Sequence, residues 1–135
     1  MTDYLFIISE IRRSVVSDTE LFSKINTRFY PQHTTLNADL VFPFIVFTSV
    51  GGSPDRDSYE FDSSLFEVIF GSDKGLDESI ALYQRFYSVI HRNVYRNSTF
   101  SFQITEDSKP MEVSGRVQGK MMYMYSNTWE IKSIG

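Results

Sequence analysis

The sequence predicts an α+β protein, with a mainly antiparallel sheet, a long helix packed across one face and a short pair of helices at the N-terminus. Three observations support this fold class. The segment 43–70 contains two runs rich in Val, Ile and Phe that flank a polar turn, which is typical of a β-hairpin. Apolar residues in the segment 73–94 recur every three or four positions, as on one face of a helix. In the segment 100–105, apolar and polar residues alternate as in a strand with one wet face.

Length and composition restrict the class of protein. With 135 residues the chain has the size of one domain, so we expect a single domain over residues 1–135. The net charge of −4 and the scattered basic residues argue against a surface that grips nucleic acid. There is no cysteine, which excludes disulfides and thiolate chemistry. No apolar run is long enough for a signal peptide or a membrane span, so we expect a soluble protein without a membrane partner.

Two helices and an edge strand are predicted ahead of the hairpin. Ser17 and Glu20 have the spacing of a capping box, which begins a short second helix that ends near Asn26. The segment 28–31 predicts a brief edge strand because it ends in proline, and 32–41 predicts a loop. The apolar stripe of the first helix consists of Leu5, Ile8, Ile11 and Val15.

Both strands of the predicted hairpin carry apolar residues on both of their faces. A strand with one face in water would alternate apolar with polar residues, so we expect these strands to be covered on both sides. Gly51, Gly52 and Pro54 are residues that reverse a chain, and they predict the turn. The apolar residues are Phe44, Ile45, Val46 and Phe47 on the first strand, and Leu65, Phe66, Val68, Ile69 and Phe70 on the second.

The long helix has a wider apolar arc than one sheet can cover. We expect its main stripe, which consists of Leu76, Ile80, Tyr83, Tyr87 and Ile90, to face the sheet. A second strip, formed by Leu82, Phe86 and Val89, lies beside it. Either the first helix or another subunit meets this strip, and the sequence leaves both alternatives open. The candidate subunit interface therefore comprises Leu82, Phe86, Val89, Leu65 and Ile69.

The last third of the chain predicts a second hairpin. A weak strand over 112–118 contains Gly115, and a longer strand covers 121–132. The longer strand places Tyr123, Tyr125, Trp129 and Ile131 on one face.

Residues that carry chemistry are few. The two histidines, His33 and His91, have no cysteine to complete a metal set, so we expect no metal, no cofactor and no enzymatic activity. The segment 71–75 precedes the long helix, but it is too short for a phosphate loop. We therefore expect it to be the turn that begins the helix. An acidic cluster at the tip of the hairpin, Asp55, Asp57, Glu60 and Asp62, predicts a solvated turn more readily than a calcium or acid/base site. As a polar loop on a rigid hairpin, Ser53, Pro54, Asp55, Arg56 and Asp57 are candidates for docking a protein partner.

The order of these segments resembles one known family. An N-terminal helix, the step from Tyr30 to Pro31, the strand 43–47, the strand 66–70 and the helix 82–90 follow one another along the chain. The same order occurs in the tail-completion proteins of long-tailed bacteriophages, the tail terminators of the head–tail junction. The resemblance covers about residues 8–94. Two features depart from the family pattern: the long loop 32–41 and the Met- and Tyr-rich run 121–125.

The resemblance implies a structural subunit of the virion neck, built in the host cytoplasm, that acts without catalysis or a cofactor. Such a subunit assembles into a ring, usually hexameric, that caps the tail tube and meets the connector or head-completion protein. DNA passes through the lumen of the ring without specific binding. A head-completion or minor tail protein of related fold is one alternative. A small-ligand-binding α+β domain that uses the aromatic surplus as a pocket is another.

Overall fold

The computed structural model describes residues 4–30, 41–54, 62–97, 101–117 and 119–134. Three helices and eight strands are found in these ranges. In chain order they are α1 (Tyr4–Ser17), α2 (Thr19–Ile25), β1 (Phe29–Tyr30), β2 (Phe44–Pro54), β3 (Asp62–Ser72), α3 (Leu76–Ile90), β4 (Val94–Arg96), β5 (Ser101–Glu106), β6 (Met111–Glu112), β7 (Gly115–Val117) and β8 (Lys120–Ser133).

The strands form a mainly antiparallel sheet, which confirms the predicted α+β class. Neighbouring strands follow the order β1-β2-β3-β8-β5-β4, and β6 and β7 pair with β8 as well. The brief strand β1 lies at one edge of the sheet, as the proline after it predicts. It pairs with β2 in parallel. The hairpin of β2 and β3 is the antiparallel pair expected from the sequence. No helix in the described ranges is long and apolar enough to cross a bilayer.

All three helices pack on one face of the sheet, here called the inner face. Aromatic rings fill much of this core: Phe47 stacks on Phe66 with 4.6 Å between centroids, and Phe86 sits edge-on against Phe70 and Trp129. Most of the phenylalanines in the described ranges are therefore buried inside the fold. The buried cluster consists of Ile7, Ile11, Val15, Leu21 and Ile25 from α1 and α2, Leu82, Phe86 and Ile90 from α3, and Phe29, Ile45, Phe47, Phe66, Val68, Phe70, Phe102, Ile104, Trp129 and Ile131 from the strands.

The helix α3 is shorter than predicted. It has 15 residues, only one more than the 14 of α1, so the description of one long helix beside a short N-terminal pair is not confirmed. The helix ends at Ile90 because the next residues turn the chain: the His91 N–H still donates to the Tyr87 carbonyl, and Arg92 adopts a left-handed φ of 67°. The chain then continues as β4 from Val94.

The buried stripes of α1 and α3 are also rotated from the predicted ones. In α3, Ser79, Leu82, Phe86 and Ile90 are buried, whereas Tyr87 of the predicted stripe is 37% exposed. The reason is that α3 is covered on two sides, by the sheet and by α1 and α2, so the middle of its apolar arc is buried. In α1, Ile7 is buried and Leu5 is 79% exposed.

Two local predictions are corrected by one or a few residues. Asp18, not Ser17, caps α2, because α1 continues to Ser17 and the Asp18 carboxylate accepts the Leu21 N–H at 3.0 Å. Gly51 and Gly52 do not form the turn: they lie inside β2, next to a register shift between Ser49 and Gly51.

The strand β8 confirms the predicted long strand, and its pairing with β3 confirms the shared face of Tyr123, Tyr125, Trp129 and Ile131. The predicted weak strand is split into β6 and β7.

Candidate assembly surfaces

The face of the sheet opposite the helices, here called the outer face, carries an apolar band near one end. The register places Val46 beside Ile69, and Gly71 between Phe44 and Met124. The next row along the strands is polar, with Glu67 between Thr48 and Thr128. The band consists of Tyr30, Phe44, Val46, Ile69, Met124 and Met111. Met111 lies on β6, where it pairs with Ser126 of β8.

Burial along the band differs from strand to strand. Phe44 and Val46 are buried, so β2 is covered on both faces as predicted. Phe44 owes part of its burial to the neighbouring rings of Tyr30 and Phe42, whose centroids lie 6.2 and 5.0 Å away. On β3, Ile69 is only half-buried. No helix in the described ranges packs on this face, and Ile69 keeps part of its side chain exposed.

A two-stranded hairpin extends beyond the main sheet next to the band. β3 pairs with β8 only from Tyr123 onward, so Lys120, Met121 and Met122 pair with β7 alone. We call this hairpin, together with residues 111–114 that lead into it from the main sheet, the arm; it comprises residues 111–117 and 119–122. Three of its apolar side chains are exposed, Met111 by 65%, Val113 by 42% and Met121 by 37%. No motif in the sequence marks these residues as a site, although the arm overlaps the Met- and Tyr-rich run 121–125 that departs from the family pattern.

The arm is also basic. Arg116 and Lys120 are exposed on it, and the exposed Lys109 precedes it. Glu112 is its one acidic residue in the described ranges, and it accepts a hydrogen bond from the Ser114 hydroxyl at 3.0 Å. The arm therefore combines exposed methionines with a net positive charge, and methionine side chains adapt readily to a binding partner.

An ion pair fixes the start of α2 against α3. The Arg85 guanidinium donates to both carboxylate oxygens of Asp18, through Nη2 at 2.6 Å and Nε at 3.0 Å, and Nε also lies 2.9 Å from Glu20. The Arg85 hydrogen bonds hold the pKa of Asp18 below its usual value, against the opposing effect of burial. The pair stabilises the helical layer rather than forming a reactive site, because the Asp18 oxygens are taken up by Arg85 and the Leu21 N–H.

A polar cluster lies where α3 meets β5 and β8. The Tyr83 hydroxyl donates to Glu106, whose carboxylate also accepts from Asn127 at 3.1 Å. The side-chain Oδ1 of Asn127 in turn accepts the Trp129 indole N–H at 2.7 Å. Burial and the Glu106 carboxylate raise the pKa of Tyr83. The cluster satisfies the polar groups of buried side chains, which is a structural role.

His91 belongs to the same region. Its Nδ1 accepts the Glu106 backbone N–H at 3.1 Å, and its ring stacks on Tyr87 at 4.4 Å. Burial, together with the neighbouring Arg92 charge, lowers the pKa of His91. The imidazole is therefore held neutral as a hydrogen-bond acceptor. This contact gives His91 a structural role at the end of α3.

The remaining candidate sites are a metal site, the acidic cluster and the segment 71–75. Within the described ranges, no group of three or more His, Cys, Asp or Glu residues is arranged to hold a metal ion. The side chains of the acidic cluster 55–62 lie outside the described residues. The segment 71–75 is the turn that begins α3: the Ser72 hydroxyl accepts the Lys74 N–H at 3.0 Å and donates to Glu78 at 2.8 Å.

The candidate interface residues fall into two groups. Leu82 and Phe86 are completely buried in the core of the chain itself, so their assignment to a subunit interface is corrected: the helical layer and the sheet cover this strip. Val89, Leu65 and Ile69 are half-buried, the last two on the outer face. Of the candidate docking loop, Ser53 and Pro54 belong to the end of β2, while Asp55, Arg56 and Asp57 lie outside the described residues.

Comparison with known proteins identifies a fold that also occurs in a phage-like virion. No protein-family model matches the chain, and no curated protein sequence matches it. A chain in a solved structure described as "Virion of native gene transfer agent (GTA) particle" is similar to it, with a TM-score of 0.68. The similarity covers 96% of this chain and 95% of that chain, at 11% sequence identity. At this identity the similarity concerns the fold.

Proposed function

We propose that this chain is a structural virion protein that assembles into a ring at the head–tail junction, capping the tail tube and joining it to the connector. The observation that carries the proposal is the fold shared with a chain of a gene transfer agent virion over nearly the whole length of both chains. The order of sequence segments, which resembles the tail terminators, supports the position within the virion. Fold alone leaves many functions open, so the surfaces supply the second argument.

The surfaces suit a subunit with neighbours. The apolar band of the outer face presents half-buried Ile69, and next to it the arm exposes Met111, Val113 and Met121. Half-buried Leu65 lies on the same face, beyond the polar row of Glu67. Apolar side chains gathered on one part of a surface are typical of contacts between proteins. We assign the subunit contacts to the outer face and the arm, with Val89 at the flank of α3. Residues 53–57 are a further assembly contact, made either with another subunit or with a tail or connector protein.

A gene deletion tests this role. A phage genome that lacks the coding sequence for this chain should produce filled heads and separate tails, because no ring joins them. A tube without a cap continues to add subunits, so the tails should also vary in length. Electron microscopy of lysates measures both effects, and supply of the wild-type chain from a plasmid should restore joined particles of one tail length.

Other outcomes of the deletion would assign the chain elsewhere. Tails of uniform length beside heads that lose their DNA would indicate a head-completion protein. Joined particles with a defective tail tip would indicate a minor tail protein. Fully infectious particles of normal form would contradict a structural role and would favour the alternative of a small-ligand-binding domain.

A further inference from the structure

Three tyrosine side chains come together where α3 packs on β8. The Tyr83 ring is edge-on to Tyr125, with 5.5 Å between centroids, and the centroid of Tyr87 lies 6.1 Å from that of Tyr83. Tyr87 is 37% exposed, and Tyr83 and Tyr125 are half-buried. The hydroxyls of Tyr87 and Tyr125 have no hydrogen-bond partner in the described ranges, and they are not among the buried polar atoms. Aromatic rings and free hydroxyls therefore reach the surface together.

A carboxylate oxygen beside these rings is also without a partner. The Tyr83 hydroxyl and the Asn127 side-chain amide both donate to Oε2 of Glu106. Oε1 accepts no hydrogen bond from the part of the chain that the structure describes, and it is not buried, because every buried polar side-chain atom there has a partner. The contacts at Oε2 hold the carboxylate in place. Oε1 is therefore a fixed acceptor that a ligand can reach.

A second carboxylate adds negative charge to the same region. Glu112 pairs with Tyr125, and Glu106 pairs with Trp129, so the two carboxylates lie along one edge of β8, roughly 13 Å apart. Lys109 is exposed in the connection between them and, in the described ranges, forms no ion pair with either one. We give the name tyrosine rim to Tyr83, Tyr87, Tyr125, Glu106 and Glu112.

His91 places no positive charge beside the tyrosine rim. Its Nδ1 accepts the Glu106 backbone N–H, so the imidazole is neutral and carries its proton on Nε2. The ring stacks on Tyr87 at 4.4 Å, which holds the exposed tyrosine in place. The neighbouring Arg92 forms no ion pair with Glu106 in the residues described. The fixed groups at this site are therefore negative or aromatic, and both attract a cation.

We propose that the tyrosine rim binds an arginine side chain of a neighbouring virion protein. A planar guanidinium can stack on a tyrosine ring and donate to a carboxylate oxygen at the same time. Tyr87 supplies the exposed ring, and Oε1 of Glu106 supplies the acceptor. This chain has a net charge of −4, so a basic segment of another protein complements it better than a second copy does. The inference rests on the proposed function, which places other virion proteins beside this chain.

A short peptide tests the site on the isolated protein. Acetyl-Gly-Arg-Gly-amide should shift the NMR signals of the Tyr83, Tyr87 and Tyr125 rings in a saturable titration. The same peptide with citrulline has a similar shape and no charge, and it should bind at least about tenfold more weakly, because hydrogen bonds from an ionised donor are stronger. The lysine peptide should bind about threefold more weakly, since an ammonium group does not stack on a ring as a guanidinium does.

Two substitutions test the two parts of the site. Glu106→Gln retains an oxygen for the internal hydrogen bonds but removes the charge, and it should weaken binding of the arginine peptide at least about tenfold. Tyr87→Leu removes the exposed ring and should weaken binding about threefold. Glu20→Gln and Phe22→Leu make comparable changes at exposed residues of α2, and both should bind the peptide as wild type does.

A further variant covers the case in which Glu106→Gln fails to fold. Glu112 is exposed, so Glu112→Gln should fold normally and should still weaken binding, by a smaller factor than a change at the carboxylate that contacts the guanidinium. Circular dichroism reports folding of every variant before the titrations.

Photo-crosslinking identifies the occupant in assembled particles. With p-benzoylphenylalanine in place of Tyr87, mass spectrometry should find the chain joined to an arginine-containing segment of a different virion protein. Crosslinks to a second copy of this chain, or only to segments without arginine, would overturn the assignment of the partner.

The peptide experiments have their own contradicting results. Equal affinity for the arginine and citrulline peptides would overturn the inference, as would wild-type affinity in both Glu106→Gln and Tyr87→Leu. Equal affinity for the lysine and arginine peptides would overturn the choice of arginine. These titrations use the isolated protein, so their failure leaves the proposed function to the deletion experiment. Failure of the deletion experiment, in turn, leaves the measured peptide affinity unchanged.

Discussion

The backbone of Gly71 lies directly against the ring of Phe44 on the neighbouring strand. A Cβ on Gly71 would come within 2.5 Å of the Phe44 Cζ atom, closer than carbon atoms can approach without movement. Phe44 is completely buried, so its rigid ring has little room to move away. The absence of a side chain at Gly71 is therefore a packing requirement of the outer face.

Gly71→Ala should lower the free energy of unfolding by about 1–3 kcal/mol, the usual cost of overpacking. Thermal and urea unfolding measure the change. Gly115→Ala is the matched control, because a Cβ at Gly115 meets nothing within 4 Å, and it should be nearly neutral. Adding Phe44→Leu to Gly71→Ala should remove part of the clash. Equal stability of the two alanine variants would show that the Phe44 ring does not pack as described.

Asp18 combines a helix cap with an ion pair, and two substitutions separate them. Asp18→Asn retains a capping oxygen and should cost less than about 1 kcal/mol, because Arg85 is partly exposed to water. Asp18→Ala also removes the cap on Leu21 and should cost about 1 kcal/mol more. Urea unfolding at pH 7 measures both. If the two variants were equally stable, the Asp18 side chain would not act as a cap.

The lowered pKa of Asp18 also predicts a pH dependence. The folded state binds the Asp18 proton less readily than the unfolded state, so the stabilisation is present above the usual aspartate pKa, 3.8, and is lost as pH falls below it. The difference in stability between wild type and Asp18→Asn should therefore shrink on acidification from pH 5 towards pH 3. A difference that stays constant over this range would contradict the lowered pKa.

Tyr83 contributes both packing and a hydrogen bond. Its ring lies edge-on to Phe70 and Tyr125, with centroids 5.8 and 5.5 Å away, and its hydroxyl donates to Glu106. Tyr83→Phe should cost about 1 kcal/mol through the lost hydrogen bond. Tyr83→Ala should cost roughly 2–3 kcal/mol, since the side chain is half-buried. Chemical denaturation distinguishes the two, and an unchanged melting temperature for Tyr83→Ala would contradict this packing.

His91 should destabilise the fold when it is protonated. Its pKa is lowered in the folded state, so the unfolded chain takes up the proton first, and stability falls as pH decreases below about 6.5. His91→Asn keeps a hydrogen-bond acceptor for the Glu106 N–H but does not titrate. Between pH 7 and pH 5.5, wild type should lose more stability than this variant, while both retain His33. Parallel losses in melting temperature would show that His91 does not control this pH response.

The strands could be predicted from the sequence more reliably than the faces of the helices. Period-two alternation places β5 and β8 well, because successive side chains of a strand point to opposite faces whatever packs against them. The predicted stripe of α3 is wrong because the sheet and two helices all contact this helix, so apolar residues occur around much of its circumference. Which of them are most buried depends on the relative positions of the sheet, α1 and α2. No local pattern records those positions.

The candidate surfaces illustrate the same limit. Leu82 and Phe86 are apolar in a strip that the sequence could assign to a neighbour or to the core, and only the docked α1 and α2 show that it is core. The arm could not be predicted for the opposite reason: Met111 and Met121 are ordinary strand residues in the sequence, and only the folded chain shows that their side chains are exposed.

The position of this chain in a particle tests the central claim most directly. A gold-labelled antibody against the chain, applied to purified virion particles from cells that produce the chain, reports that position by electron microscopy. The proposed function predicts label at the head–tail junction of intact particles and at the head-proximal end of isolated tails. Label confined to the tail tip, or present only on isolated heads, would contradict it.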